Sequence, residues 1–170
     1  ELEQAFRDAH RDPEVRCIVL TGNGRAFCSG DDVKQIMLGE QRDETVTRLR
    51  DAKPKPTPAA AAVLECDKPV IAAVNGAAFA GGLGLVGAAD IVITVDDVQF
   101  SFSEVRIGVI PAIIAVVCIP KLGTHHAMKL FVTGERFSGT QAVAMGFAHR
   151  AVPQAGLMAA VQEEIDMIRL

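Results

Sequence analysis

Apolar residues recur along this chain in two patterns, one typical of helices and one typical of buried strands. Leu2, Ala5, Phe6 and Ala9 are spaced i, i+3, i+4 and i+7, which predicts a helix over residues 1–10 with one buried face. Short apolar runs predict strands at residues 17–20, 69–75, 91–95 and 98–100. Further helices are predicted over residues 40–51, 59–66, 112–120, 123–132, 138–146 and 154–170.

The stretch from Pro69 to Asp90 organises the rest of the chain. Its β-branched first part is typical of a buried strand that ends near Asn75, and a series of alanines and glycines then leads into an apolar helix. Ala80, Gly81 and Gly82 leave the first turn of that helix almost bare of side chains, so its backbone N–H groups are open to a ligand. Open N–H groups at a helix start attract negative charge.

The same stretch contains the spacing G-x-G-x-x-G at Gly82, Gly84 and Gly87. In a dinucleotide-binding unit this spacing follows a strand directly and opens the next helix. Because several residues separate the predicted strand from these glycines, they are expected inside the helix. Gly84 and Gly87 are therefore better explained as small residues that let the helix approach a neighbour closely.

A second glycine turn precedes a predicted helix start in the segment RAFCSGDDVK, residues 25–34. Gly30 supplies conformational freedom just ahead of Asp31 and Asp32, whose carboxylates suit a helix N-terminus. Two such turns provide the backbone donors of an oxyanion hole if the fold brings them together. Further along, three prolines between residues 53 and 58 predict an extended, mobile surface excursion.

Composition excludes several classes of protein. The chain has 170 residues, 49% of them hydrophobic, which is enough for a real core and is most simply one domain. A net charge of −4 and the lack of Trp, Tyr and any dense basic block argue against a nucleic-acid surface. No apolar run approaches the roughly 18 to 20 residues that span a bilayer, so no membrane partner is expected.

The cysteines and histidines do not predict a metal site. Cys17, Cys28, Cys66 and Cys118 are scattered, with no C-x-x-C pair, which favours a reduced, metal-free, cytoplasmic protein. The adjacent residues His125 and His126 point in different directions on a helix, so they are not expected to bind a metal together.

Three segments occur in a fixed order along the chain: AFCSGDDVK, then PVIAAVNGAAFAGGLGL followed by AADI, then FSFSEVRIGVIPA. They resemble the three signatures of the crotonase, or enoyl-CoA hydratase/isomerase, superfamily, and are nearest to its methylglutaconyl-type hydratases. The resemblance implies an α/β fold, a spiral of β-β-α repeats forming roughly perpendicular sheets flanked by helices. It also implies an acyl-CoA substrate with no separate cofactor, because coenzyme A is part of the substrate.

The resemblance further implies how the chain is divided and assembled. Residues 1–153 correspond to the crotonase core, with its natural start expected before Glu1. Residues 154–170 correspond to the beginning of a C-terminal helical region. Members of this superfamily form trimers or dimers of trimers, so a homotrimer or homohexamer is expected.

The resemblance assigns roles to individual residues. The N–H groups of Asp31 and Gly81 match the oxyanion donors, and Glu104 matches an acid-base glutamate. The Asp31 side chain is expected to point away from the oxyanion, because its negative charge would oppose the one that develops there. The coenzyme A loop corresponds to Ser29, Gly30, Asp31, Asp32, Val33 and Lys34, together with Gly81.

One departure from the superfamily pattern leaves the reaction open. The second glutamate of many hydratases falls at Gly84, which has no side chain, so a two-carboxylate hydration is in doubt. Hydration of a 2-enoyl-CoA by Glu104 alone is favoured. The alternatives are a Δ3,Δ2-enoyl-CoA isomerase in which Glu104 shuttles one proton, and a non-catalytic acyl-CoA-binding scaffold.

Overall fold

The computed structural model of this chain describes residues 1–30 and 58–168. The predicted helix over residues 40–51 and the proline-rich excursion lie outside the described residues, as do the predicted site residues Asp31, Asp32, Val33 and Lys34. The strands are β1 (Ile18–Thr21), β2 (Ala26–Cys28), β3 (Val70–Val74), β4 (Ala77–Phe79), β5 (Ile91–Val95), β6 (Phe100–Ser101) and β7 (Arg150–Val152). The helices are α1 (Leu2–Arg11), α2 (Pro58–Leu64), α3 (Gly81–Ala88), α4 (Ala112–Thr133), α5 (Gly139–Ala144) and α6 (Leu157–Ile168).

The strands form two parallel sheets, and consecutive strands alternate between them. The larger sheet has the order β1-β3-β5-β7 and the smaller sheet the order β2-β4-β6. The pairs β1–β2, β3–β4 and β5–β6 each contribute one strand to each sheet, and β7 adds a fourth strand to the larger one. The β3–β4 pair continues into α3, and the β5–β6 pair is followed by α4. This arrangement is the β-β-α repeat of the predicted α/β fold.

The larger sheet forms the centre of the core. Every residue of β3 is buried, because β1 and β5 flank it in the sheet and α3 and α6 pack against it. Its continuous apolar sequence VIAAV is typical of a central parallel strand that is covered on both faces.

The junction between β3 and β4 was missed by the sequence pattern. The prediction that the strand ends near Asn75 is correct for β3, but a second strand, Ala77–Phe79, follows after two residues. Asn75 holds this corner: its Oδ1 accepts from the Gly22 N–H at 3.0 Å, and its Nδ2 donates to the Gly24 carbonyl at 2.9 Å. A three-residue strand is too short to show a period in the sequence.

Most other predicted elements are present, with shifted ends. The two helices predicted over residues 112–132 form α4, which bends at Gly123, where φ is 67° and ψ is 158°. The predicted final helix starts at Leu157, because residues 154–156 form a 3-10 turn. The predicted strand 98–100 is shifted to Phe100–Ser101. Within residues 1–30 and 58–168, no helix has the length and apolar character needed to cross a membrane.

Candidate active site at the edge of the smaller sheet

The three candidate segments follow the three strands of the smaller sheet. Strand β2 leads into Ser29 and Gly30, β4 leads into Gly81, and β6 leads into the turn that carries Glu104. The strands are parallel, so their carboxyl ends lie at one edge of the sheet. Ligands of α/β proteins bind at such an edge.

Gly30 and Gly81 lie next to each other at this edge. Gly30 has φ of +86°, and a Cβ built on it would lie 2.9 Å from the Phe79 carbonyl oxygen and 3.4 Å from the Gly81 nitrogen. The two glycine turns expected from the sequence therefore meet. Asp31, whose N–H is the predicted partner of the Gly81 N–H, follows Gly30 directly in the chain but lies outside the described residues.

Ala80 holds the start of α3 in an unusual backbone conformation. Its φ of 47° and ψ of −121° make it the one non-glycine residue with positive φ in the described part of the chain. The Ala80 N–H donates to the Ser101 carbonyl at 3.1 Å, and the Ala80 carbonyl accepts from the Leu83 N–H at 2.9 Å. Strain of this kind is stored at functional sites. Here it lies between the end of β4 and the first residue of α3, Gly81.

Glu104 lies on a 3-10 turn, Ser103–Ile107, which follows β6. The turn is anchored by Phe102, which is fully buried and packs against Phe131 with ring centroids 4.6 Å apart. It ends at Gly108, which has φ of 78°. Glu104 is half-buried, and its Oε2 atom is shielded from solvent. The carboxylate therefore points into the protein.

The Glu104 carboxylate affects the buried thiol of Cys118. The Cys118 thiol is buried on α4 and donates a hydrogen bond to the Leu83 carbonyl of α3, with the Sγ and oxygen 3.5 Å apart. Burial raises the pKa of Cys118 far above its usual range, and the negative charge of Glu104 raises it further. The charge of Glu104 therefore acts on a thiol that lies between α3 and α4.

The glycines of the G-x-G-x-x-G spacing pack against other parts of the protein. A Cβ on Gly84 would lie 2.6 Å from the Ile114 Cγ2, and a Cβ on Gly87 would lie 3.0 Å from the Cys118 Sγ. A Cβ on Gly82 would lie 2.6 Å from the Cys28 carbonyl oxygen. The prediction that Gly84 and Gly87 permit close helix contact is confirmed, and these glycines do not form a nucleotide cradle.

Sequence reasoning missed Lys121, which stabilises the other end of α3. Its ammonium donates to the Ala89 carbonyl, where the partial negative charge of the helix end lies. Burial lowers the pKa of Lys121, while the Asp90 carboxylate opposes this shift. In the described residues, no group of three or more His, Cys, Asp and Glu side chains could hold a metal ion.

The model of the enoyl-CoA hydratase/isomerase family matches residues 1–168. The chain belongs to this family. The Gly30 and Gly81 turns, the Glu104 turn and the packed helices α3 and α4 are therefore parts of an enoyl-CoA hydratase/isomerase family fold.

Curated relatives of the family include the carnitinyl-CoA dehydratases of Citrobacter koseri and Salmonella typhi. The first is 34% identical over 165 residues, which cover 96% of this chain and 61% of that relative. The second is 35% identical over 164 residues, which cover 95% of this chain and 60% of the relative. The chain thus spans about three-fifths of the length of these relatives.

Solved structures of the family share the fold. An enoyl-CoA hydratase of Mycobacterium smegmatis superposes with a TM-score of 0.86 at 29% identity, covering 98% of this chain and 63% of that chain. A probable enoyl-CoA hydratase/isomerase of Mycobacterium abscessus has a TM-score of 0.79 at 36% identity, covering 98% and 63% of the two chains. These likenesses support the predicted crotonase-type architecture.

Proposed function

We propose that this protein is an acyl-CoA enzyme that adds water to a 2-enoyl-CoA, or removes it from a 3-hydroxyacyl-CoA, with Glu104 as its acid-base group. The observation that carries the proposal is the close approach of the Gly30 turn to the Gly81 amide, at the same sheet edge as the Glu104 turn. Hydration and dehydration are one reaction in two directions, and the carnitinyl-CoA dehydratases among the relatives bear the name of the second.

The Gly81 N–H and the N–H of Asp31 would hold the thioester oxygen. As water attacks C3, negative charge moves from the double bond onto that oxygen, and two preorganised amides stabilise it without adding a titratable group. A donor of this kind contributes about 2.7 to 4 kcal/mol to catalysis. Ser29 and Gly30, with Asp32, Val33 and Lys34, would bind the adenine and phosphate end of coenzyme A.

Glu104 would move the proton. In the hydration direction its carboxylate takes a proton from water as the water oxygen bonds to C3, and it then gives that proton to C2 of the enolate. No second carboxylate is needed if one group performs both transfers in turn. The substrate itself carries coenzyme A, so the proposal includes no further cofactor.

A specific observation supports isomerisation as the second candidate. The position beside Gly84, where a second carboxylate would stand, is filled by Ile114, so the site is suited to a reaction with one proton-transferring group. In a Δ3,Δ2-isomerisation Glu104 would take a proton from one carbon and return it to another, with no water consumed.

A substrate panel separates the two reactions from simple binding. The protein is incubated with crotonyl-CoA, a 3-enoyl-CoA, a branched glutaconyl-CoA and carnitinyl-CoA while the enoyl-thioester absorbance is followed. Loss of the signal from a 2-enoyl compound, or its appearance from carnitinyl-CoA, supports hydration or dehydration. Its appearance from the 3-enoyl compound supports isomerisation. No change in absorbance with any compound, together with measurable acyl-CoA binding, favours an acyl-CoA scaffold.

A further inference from the structure

The seam between α3 and α4 is unusually close at one point. Gly84 is buried, and the Cβ that any other residue would place there lies 2.6 Å from the Ile114 Cγ2 and 3.3 Å from the Ile114 Cβ. The side chain that fills this space is itself only 5% exposed. Cγ2 is attached to a β-branched carbon that cannot swing away without turning the whole side chain.

This point of contact lies on the same face of α4 as Cys118. Ile114 and Cys118 are four residues apart on α4, so their side chains lie on one face of it, about one turn or 5.4 Å apart. That face packs against α3, where Cys118 bonds to the Leu83 carbonyl, and the Glu104 charge acts on the Cys118 thiol. The 3-10 turn that carries Glu104 also packs against α4.

Resting on the proposed function, we infer that Ile114 is a specificity-determining residue that keeps the space beside Gly84 closed to any second polar group. The isoleucine and the glycine act as a pair: the side chain missing from α3 is replaced in volume by one from α4. A second carboxylate is excluded sterically, and the apolar surface offers water no hydrogen-bond partner. Acid-base chemistry in this site is thereby confined to Glu104.

A thermodynamic cycle tests whether the two positions share one space. Unfolding in urea is compared for the wild type, Gly84→Ala, Ile114→Ala and the double variant. Gly84→Ala alone should raise the unfolding equilibrium constant at least about tenfold, the scale of an overpacked core. In the Ile114→Ala background the same change should raise it less than about threefold, because Cγ2 is gone and the remaining Cβ is 3.3 Å away.

The matched control is Ile113→Ala, which removes the same atoms from the neighbouring, half-buried residue of α4. It should give Gly84→Ala no relief. An equal effect of Gly84→Ala in all three backgrounds would overturn the inference, since the two side chains would then not compete for space.

A second experiment introduces a carboxylate at position 84. Gly84→Glu alone should either fail to give soluble, folded protein or hydrate crotonyl-CoA at least about tenfold more slowly than the wild type. The double variant Gly84→Glu, Ile114→Ala should fold and should hydrate crotonyl-CoA at least about tenfold faster than Gly84→Glu alone. Equal hydration rates for the Gly84→Glu single variant and the double variant would contradict the inference. If the wild type itself turns over no substrate, the proposed function fails, while the unfolding cycle still decides whether Ile114 closes this space.

Discussion

At the scale of single residues, the site depends on backbone conformations that residues with a side chain rarely adopt. Gly30 has positive φ and a nearby carbonyl, and Ala80 adopts a positive φ although it carries a Cβ. The sequence shows the glycines but not the strain at Ala80, because alanine is common in every kind of element. The proposed oxyanion hole requires both turns to hold these conformations.

We predict that Gly30→Ala loses more stability than a simple glycine replacement. Gly24 provides the matched control, because its φ of +83° is nearly the same as the +86° of Gly30 but a Cβ on it would meet nothing within 4 Å. Gly24→Ala should cost about 1 kcal/mol from backbone strain, and Gly30→Ala about 1 to 3 kcal/mol more because its Cβ meets the Phe79 carbonyl.

Unfolding in urea measures both variants, and acyl-CoA turnover is measured beside it. The Gly24 variant should keep wild-type turnover, while the Gly30 variant should lose it, because the Cβ would lie 3.4 Å from the Gly81 nitrogen. Equal losses of stability in the two variants would show that the Gly30 turn does not press against β4.

At the scale of elements, the corner between β3 and β4 connects the two sheets. β3 belongs to the larger sheet and β4 to the smaller one, and only Asn75 and Gly76 lie between them. The Asn75 amide bonds to two backbone groups of the loop after β1. It therefore connects the corner between β3 and β4 to the equivalent corner between β1 and β2.

We predict that Asn75→Ala lowers the free energy of unfolding by about 2 kcal/mol, since each of its two hydrogen bonds to backbone groups contributes about 1 kcal/mol. Asn75→Asp should also lower stability, because it retains the acceptor for the Gly22 N–H but turns a carboxylate oxygen toward the Gly24 carbonyl oxygen, which repels it. The control is Asn23→Ala, at an exposed position of the same loop, which should change stability by less than about 0.5 kcal/mol. Thermal or urea unfolding of the three variants gives the comparison, and an Asn23 variant as unstable as Asn75→Ala contradicts it.

At the scale of the whole molecule, the sequence predicts the larger sheet and the helices better than the smaller sheet. β3 and β5 are long apolar runs with a clear signal, whereas β2, β4 and β6 have two or three residues each and pair only with strands far along the chain. Gly81 and Glu104 could be named through family resemblance. Ile114 and Cys118 could not, because their importance arises from the packing of α4 on α3.

The buried thiol of Cys118 makes stability depend on pH. The folded state keeps the thiol protonated, while the unfolded chain releases the proton above the ordinary thiol pKa of 9.0. The stabilisation is complete below that pH and is lost as pH rises, with a slope approaching about 1.4 kcal/mol per pH unit. Lys121 acts in the opposite sense, because its pKa is lowered by burial.

Comparison with Cys118→Ala separates the two groups. Urea unfolding at pH 8 and pH 10 should show that the wild type loses more stability over this interval than the variant does. The variant keeps Lys121, whose pKa is lowered chiefly by burial, so most of the Lys121 contribution is common to both proteins. Identical changes in the two proteins would mean that the Cys118 thiol is ionised equally in the folded and unfolded states.

The central claim, that one carboxylate performs the chemistry, is tested most directly by the turnover of Glu104→Gln with the reactive acyl-CoA from the substrate panel. The account predicts a fall of about 10² to 10⁴ in kcat, with acyl-CoA affinity within about threefold of the wild type. Glu65→Gln, at an exposed carboxylate of the same kind, should keep full turnover. Full activity of Glu104→Gln would contradict the account.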